Sequence, residues 1–193
     1  MRLTLAILAL VLNIIGYIPY IRDIIRGIVK PQRITWGIWT ILTTITAVNQ
    51  IVNKGGYSSL FFVSTTILVT FTFLLSIKYG TGGGSRLDFV SLVLATLLFT
   101  YWVAIHDTRL STVIAILIDS IAAALTVIKT YHYPETETYP QWVLAGIGGA
   151  LTLFAVPRLD WALLAYPAYI ALANGVIVTT KFTRETDKPT KKK

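Results

Sequence analysis

Asp119 is the first residue to account for. It sits in the middle of a stretch, 110–128, that carries no other charge and is mainly apolar. A carboxyl group in such surroundings is expensive and usually functional. On a 3.6-residue repeat it shares a helix face with Thr112, Ala115, Ala122 and Thr126. A small, polar face of this kind turns toward neighbouring helices. The chemistry open to Asp119 is the binding of a proton, a cation or a solute hydroxyl. The competing role is structural, a buried carboxyl hydrogen-bonded to Asn13.

Asn13 enters through a faint internal recurrence. A shift of 106 residues superposes Asn13 on Asp119 and Trp36 on Trp142, and "KPQRITW" (30–36) has a counterpart in "YPQW" (139–142) at a slightly different shift. Asn13 shares its own helix face with Gly16, Tyr17 and Tyr20. Asn13 and Asp119 are therefore expected to meet at similar depth. Thr43, on the stripe Trp36, Thr40, Thr43, Ala47 and Gln50, offers a further wall, with Asn49 beside it. For each threonine alone, a hydroxyl bonded back to its own helix is the plainer explanation. With Asn174, from "YPAYIALANGV", the candidate solute-binding set is Asp119, Asn13, Asn174, Tyr17 and Thr43.

Other chemistries find little. There is no cysteine, and the two histidines, His106 and His132, are far apart, so neither a disulfide nor a metal site is expected. No HExxH, paired carboxylates or Ser–His pair occurs within the apolar stretches, so no catalytic residue, no cofactor and no enzymatic activity is expected. His106-Asp107 reads as an exposed turn. "YGTGGGSR" (79–86) lacks the strand before it and the Gly-Lys-Ser/Thr after it that a phosphate loop needs, so it reads as a flexible linker.

The elements that must position these groups follow from composition. Of 193 residues, 54% are hydrophobic and 13% charged, against about a quarter charged in soluble domains. Lipid is the expected solvent. A helix crossing a bilayer needs about 20 mostly apolar residues. The runs 3–21, 34–52, 57–77, 89–105, 110–128 and 161–180 meet that need, and a shorter, glycine-rich run, 139–156, is counted as the sixth in order. Uninterrupted runs exclude an alternating barrel pattern, leaving helices as the way to satisfy the backbone in lipid. The first run lacks a cleavage-site pattern and exceeds a typical signal-peptide core, so it reads as a retained helix.

The expected fold is an all-α polytopic membrane protein with seven transmembrane helices. An external N-terminus puts 13 of the 17 basic residues on the inner side, which places the C-terminus in the cytoplasm. The formal charge of +8 therefore reads as membrane orientation rather than nucleic-acid binding. Trp36, Trp39, Trp102, Trp142 and Trp161 are expected as interfacial anchors, with ligand stacking the alternative, and "KFTRETDKPTKKK" (181–193) as a solvated basic end near anionic lipid.

With each set of three helices starting outside and ending inside, and the fourth reversing direction, the arrangement is a 3+1+3 parallel repeat. Residues 1–79 form the first repeat, 80–108 the glycine-rich linker and inversion helix, 109–181 the second repeat, and 182–193 the tail. Transporters built this way place their site between the halves near mid-bilayer.

"GYIPYIRDIIRGIVKPQRITW" (16–36) resembles the PQ-loop signature of the SWEET, SemiSWEET and PQ-loop transporter superfamily. Pro19 falls on the signature proline, with Tyr20 where the glutamine stands, while Pro31-Gln32 opens the second helix. The resemblance implies a seven-helix fold and alternating access. Physically, Pro19 removes one backbone donor and bends the helix, giving either a hinge on which the inner end swings or a static kink. Sugar carriers of this family resemble one another in an asparagine on helices 3 and 7 and a tryptophan deep in helices 2 and 6. Asn174 fits the helix 7 position; helix 3 offers threonines and Phe71.

The expectation is a small-solute transporter of the cell membrane, taking a sugar, vitamin or amine, open to coupling with a proton or cation. The alternative is a non-transporting seven-helix receptor or scaffold. A central cavity lined by Asp119, Asn13 and Asn174 would separate the two, since a scaffold fills that space with apolar side chains. Oligomerisation is left open.

Overall fold

Helix punctuation is carried by a few side chains. A computed structural model describes residues 1–104 and 108–186, with only the backbone given for Trp102 and Thr108. The Gln32 side chain accepts from the Thr35 backbone N–H at 2.8 Å and caps the second helix. The Asp160 carboxylate accepts from Ala162 N–H at 2.9 Å and opens the last. Pro140, with no N–H to waste, stands in the first turn of the sixth.

The described residues form seven α-helices: α1 (Arg2–Ile25), α2 (Arg33–Val52), α3 (Ser59–Tyr79), α4 (Arg86–Ala104), α5 (Thr108–His132), α6 (Tyr139–Ala155) and α7 (Trp161–Thr186). Single 3-10 turns, Gly56–Ser58 and Pro134–Thr136, precede α3 and α6. Four spans are long and apolar enough to cross a membrane: Arg2–Ile25, Gly56–Tyr79, Arg109–His132 and Trp161–Thr186. The 17 residues of α6 reach about 25 Å at 1.5 Å per residue, short of a hydrocarbon core of roughly 30 Å. His106-Asp107, the end of run 89–105, the Trp102 side chain and residues 187–193 lie outside the described residues.

The helices close into a ring. In it α3 packs between α1 and α2, α7 packs between α5 and α6, α1 meets α6, and α2 meets α5. The remaining helix, α4, rests on α5 and touches α2. Large apolar side chains such as Ile14, Ile18, Ile67, Phe71 and Leu97 face outward, while Asn13, Thr35, Gln50 and Asp119 are buried. Polar groups inside and apolar groups outside suit lipid as the solvent.

Small residues set the closest approaches. A Cβ on Gly16 would lie 3.2 Å from both the Leu144 Cβ and the Pro140 carbonyl, and one on Gly149 would lie 3.2 Å from the Pro167 carbonyl. Ala6, Ala9, Gly16 and Gly148 thus let α1 and α6 touch backbone to backbone, the packing that substitutes for a hydrophobic driving force in lipid.

One end of the bundle collects the basic loops, and two expectations change there. The glycine-rich stretch is a tied loop rather than a free linker. Arg33 donates to the carbonyls of Ser76, Gly80 and Gly82 at 2.9, 2.8 and 3.2 Å, and Thr81 N–H donates to Pro31 O at 2.9 Å. Gly82 and Gly83, at φ +84 and +99, make the left-handed turn that brings Gly83 N–H to Asp88 at 2.8 Å, and Asp88 also accepts from the Gln32 amide. The tail is likewise ordered at its start, because 182–186 continue α7. Lys181 is buried and donates to Pro134 O at 2.7 Å and to Glu185, while Arg184 stacks on Tyr131 at 4.1 Å.

Candidate functional site

A cavity sits at the centre of the ring, bordered by side chains of six helices. It offers water-sized molecules about 70 Å³. All five sequence-derived candidates, Asn13, Tyr17, Thr43, Asp119 and Asn174, line it. The repeat on α1 (13, 16, 17, 20) and that on α5 (112, 115, 119, 122, 126) are buried as the helix period demands.

Asp119 is held by neutral donors from two other helices. The Trp39 indole N–H donates to Oδ1 at 2.5 Å, and the Tyr166 hydroxyl donates to Oδ2 at 2.6 Å. None of the ion pairs among the described residues includes it. The expected bond between Asp119 and Asn13 is not made. The α1 residue turns instead to α3, donating to Thr65 Oγ1 at 2.8 Å and Ser64 Oγ at 3.3 Å. Both hydroxyls give their own protons to Phe61 O at 2.8 Å, so they are left to accept. That fixes the Asn13 amide with its nitrogen toward α3 and its oxygen unpartnered.

The other candidates behave locally. Asn174 donates to Ile170 O at 2.8 Å, and Thr43 to Thr40 O at 3.4 Å, the back-bonding that threonine favours inside a helix. Phe71 on α3 is exposed and faces away from the cavity. The α3 wall is built instead by Phe61, Phe62, Thr65 and Val69.

The tryptophans require the main correction. Trp36, Trp39 and Trp142 are buried and line the cavity rather than marking an interface. With Tyr20 they make one aromatic cluster toward the basic end, with ring centroids 5.2 Å apart for Trp36–Trp39, 5.5 Å for Tyr20–Trp36 and 5.9 Å for Trp39–Trp142. The Trp142 N–H donates to Glu137 at 3.0 Å, and Glu137 pairs with Lys129. Trp39 and Trp142 satisfy their N–H groups on buried carboxylates, which removes their reason to stay at the water boundary. Trp161, at the far end, is exposed as expected of an anchor.

Tyr166 divides the cavity from a second pocket lined by Thr46, Asn49, Gln50, Asn53 and Thr112. Its ring packs on Phe62 at 5.9 Å. The sequence reading missed Tyr166, Trp39 and Gln141 as cavity residues. A signal for Tyr166 existed, since 166, 170, 173, 174 and 177 recur at helical spacing and all line the cavity.

No protein-family model, curated protein or solved structure matches this chain.

Proposed function

We propose that the chain is a multi-pass carrier of a small solute, working by alternating access between the halves α1–α3 and α5–α7, with α4 as the connecting helix. The observation that carries the reading is the central cavity, bordered by both halves and presenting Asp119, Asn13 and Asn174 where an inert scaffold would place apolar side chains. Exchanging α1, α2 and α3 for α5, α6 and α7 maps every main helix contact of the ring onto another, which supports a parallel repeat. The aromatic cluster borders the cavity toward the basic end, and Tyr166, packed on Phe62, borders both the cavity and the second pocket. A central site with bulky aromatic side chains toward each end is what a gated carrier requires.

In this reading all seven helices lie in the cell membrane, and the basic end, carrying the C-terminus, faces the cytoplasm. The superfamily resemblance around Pro19 fits the same architecture. The test is solute uptake by vesicles reconstituted with the purified chain, against a panel of sugars, vitamins and amines, with Asp119→Asn as comparison. Saturable uptake that the variant loses is the expected result. No uptake of any panel member by a well-folded protein would leave the receptor or scaffold reading standing. Tags at the two ends, probed with protease on intact cells, check the orientation; both tags on one side would overturn the seven-span count.

A further inference from the structure

We infer that the cavity is built to take a small organic ammonium ion carrying N–H groups, a class such as methylammonium; this rests on the carrier reading and names its substrate. The first ground is charge. Asp119 is the single acidic group lining the cavity, no lysine, arginine or histidine lines it among the described residues, and its two donors are neutral. An ionised carboxylate buried in this way lacks a counter-charge, which a bound cation supplies.

The second ground is the sense of the unused hydrogen bonds. Asn13 and Gln141 border the cavity, and Asn13 Oδ1 and Gln141 Oε1 are buried and have no partner. Asp119 accepts two bonds, while a carboxylate has about four acceptor positions. Three residues bordering the cavity thus hold spare acceptor positions, and an occupant bearing N–H donors suits them better than one bearing acceptors. Buried acceptors left empty are costly, so this arrangement favours a donor-rich occupant over an acceptor-rich one.

The third ground is the wall. Trp36, Trp39, Trp142 and Phe62 line the same cavity, and aromatic ring faces attract organic cations. A hard metal cation prefers a shell of about six or more oxygens, which these rings do not provide. Amino acids are disfavoured too, since their carboxylate finds no cationic partner here. Size agrees. The cavity's 70 Å³ is about half of the roughly 150 Å³ that accommodates benzene in an apolar core, so an occupant of a few heavy atoms fits this state and a hexose does not.

The experiment titrates the purified full-length chain in detergent with methylammonium, tetramethylammonium, ethanol, glucose and sodium chloride at constant ionic strength. Tryptophan emission and thermal stability are followed, and the same solutes are then tried in vesicle uptake. Saturable methylammonium binding is expected, at least about tenfold tighter than for tetramethylammonium, which has the charge but no N–H, or for the neutral solutes. Asp119→Asn should weaken it by about tenfold or more, the scale of one charged hydrogen bond, and Gln141→Leu by a smaller factor. No methylammonium response, equal binding of glucose or sodium, or full affinity in Asp119→Asn overturns the inference. Should Asp119→Asn fail to fold, the wild-type selectivity series and Gln141→Leu decide. Uptake of a neutral solute without methylammonium binding defeats this inference and leaves the carrier reading intact. Methylammonium binding without uptake of any solute does the reverse.

Discussion

Trp39 and Asp119 are 80 residues apart in the chain, yet the indole N–H of one donates to the carboxylate of the other at 2.5 Å. The bond joins α2 to α5, one helix from each proposed half, and a second bond joins the same helices, the Thr35 hydroxyl donating to Ala122 O at 3.3 Å. A contact that crosses between the halves is one that rocking must break or preserve. Tyr166 completes the clasp from α7.

Replacing Asp119 by leucine removes the acceptor and leaves two buried donors, Trp39 N–H and Tyr166 O–H, without partners. Each stranded group costs about 1–3 kcal/mol. The expected outcome is a clear drop in thermal stability for Asp119→Leu and a smaller one for Asp119→Asn, which still accepts. Adding Tyr166→Phe to Asp119→Leu should recover part of the loss, because the second stranded donor is gone. Equal stability of Asp119→Leu and the parent would show that neither bond persists in the membrane.

Tyr166→Phe alone keeps the ring against Phe62 and deletes only the hydroxyl. If Tyr166 is the barrier between cavity and second pocket, the variant should fold with a loss of about 1–2 kcal/mol and leak, exchanging solute faster down a gradient. Flux measured in counterflow and in simple efflux checks this; unaltered efflux would make Tyr166 a fixed wall.

How far the sequence carried these conclusions differs by element. The helices were legible because uninterrupted apolar runs allow little else in lipid, and the buried faces of α1 and α5 followed from a 3.6-residue period. The cavity partners of Asp119 were not legible. Trp39 sits near the start of α2, where indoles usually anchor at an interface, and only the ring closure that brings α2 against α5 turns it inward. The pairing of Asn13 with Asp119 failed for a related reason: a shared depth does not fix which neighbour is nearest, and α3, packed between α1 and α2, offered its hydroxyls first. The order of 79–86 was hidden because its partner, 31–33, lies on another loop.

Gln32 does two jobs, capping α2 and donating to Asp88. Gln32→Leu should therefore cost about 1–2 kcal/mol through the lost cap and the carboxylate left short of a donor. It should also expose the 80–85 segment to limited proteolysis. Cleavage no faster than in the parent protein would mean that Arg33 and its three carbonyl contacts hold the loop unaided.

Asp160 supplies a pH-dependent contribution outside the apolar spans. The Ala162 backbone N–H and then the Arg158 guanidinium favour its charged form and hold its pKa below the ordinary carboxylate value. A carboxyl lowered on folding adds stability above its unfolded pKa, about 3.9, and that contribution is lost as pH falls through the folded value. Asp160→Asn keeps a cap but cannot titrate. The stability difference between parent and variant should be constant at neutral pH and shrink below about pH 4. Its size is small, since the group is partly exposed and water screens it. A difference that is the same at pH 3 and pH 7 would remove Asp160 from any account of acid sensitivity.

Pro19 lies inside α1, which continues to Ile25. Its ring cannot donate to the Ile15 carbonyl one turn earlier, so the helix is weakest between the faces that matter most. On one side of that gap Asn13 and Gly16 are fixed against α3 and α6. On the other, Tyr20 packs on Trp36 and on Trp142, at 5.5 and 6.0 Å. A swing of the segment beyond Pro19 would lift Tyr20 out of the aromatic cluster without disturbing the Asn13 contacts, which is how a gate toward the basic end would open. Pro19→Ala restores the missing bond and removes a residue that costs about 3 kcal/mol in helix propensity. The variant should unfold at a higher temperature, bind solute with near-parental affinity, and transport it more slowly. Slower flux at unchanged affinity places Pro19 in the gate. Parental flux in the more stable protein would reduce it to a static bend.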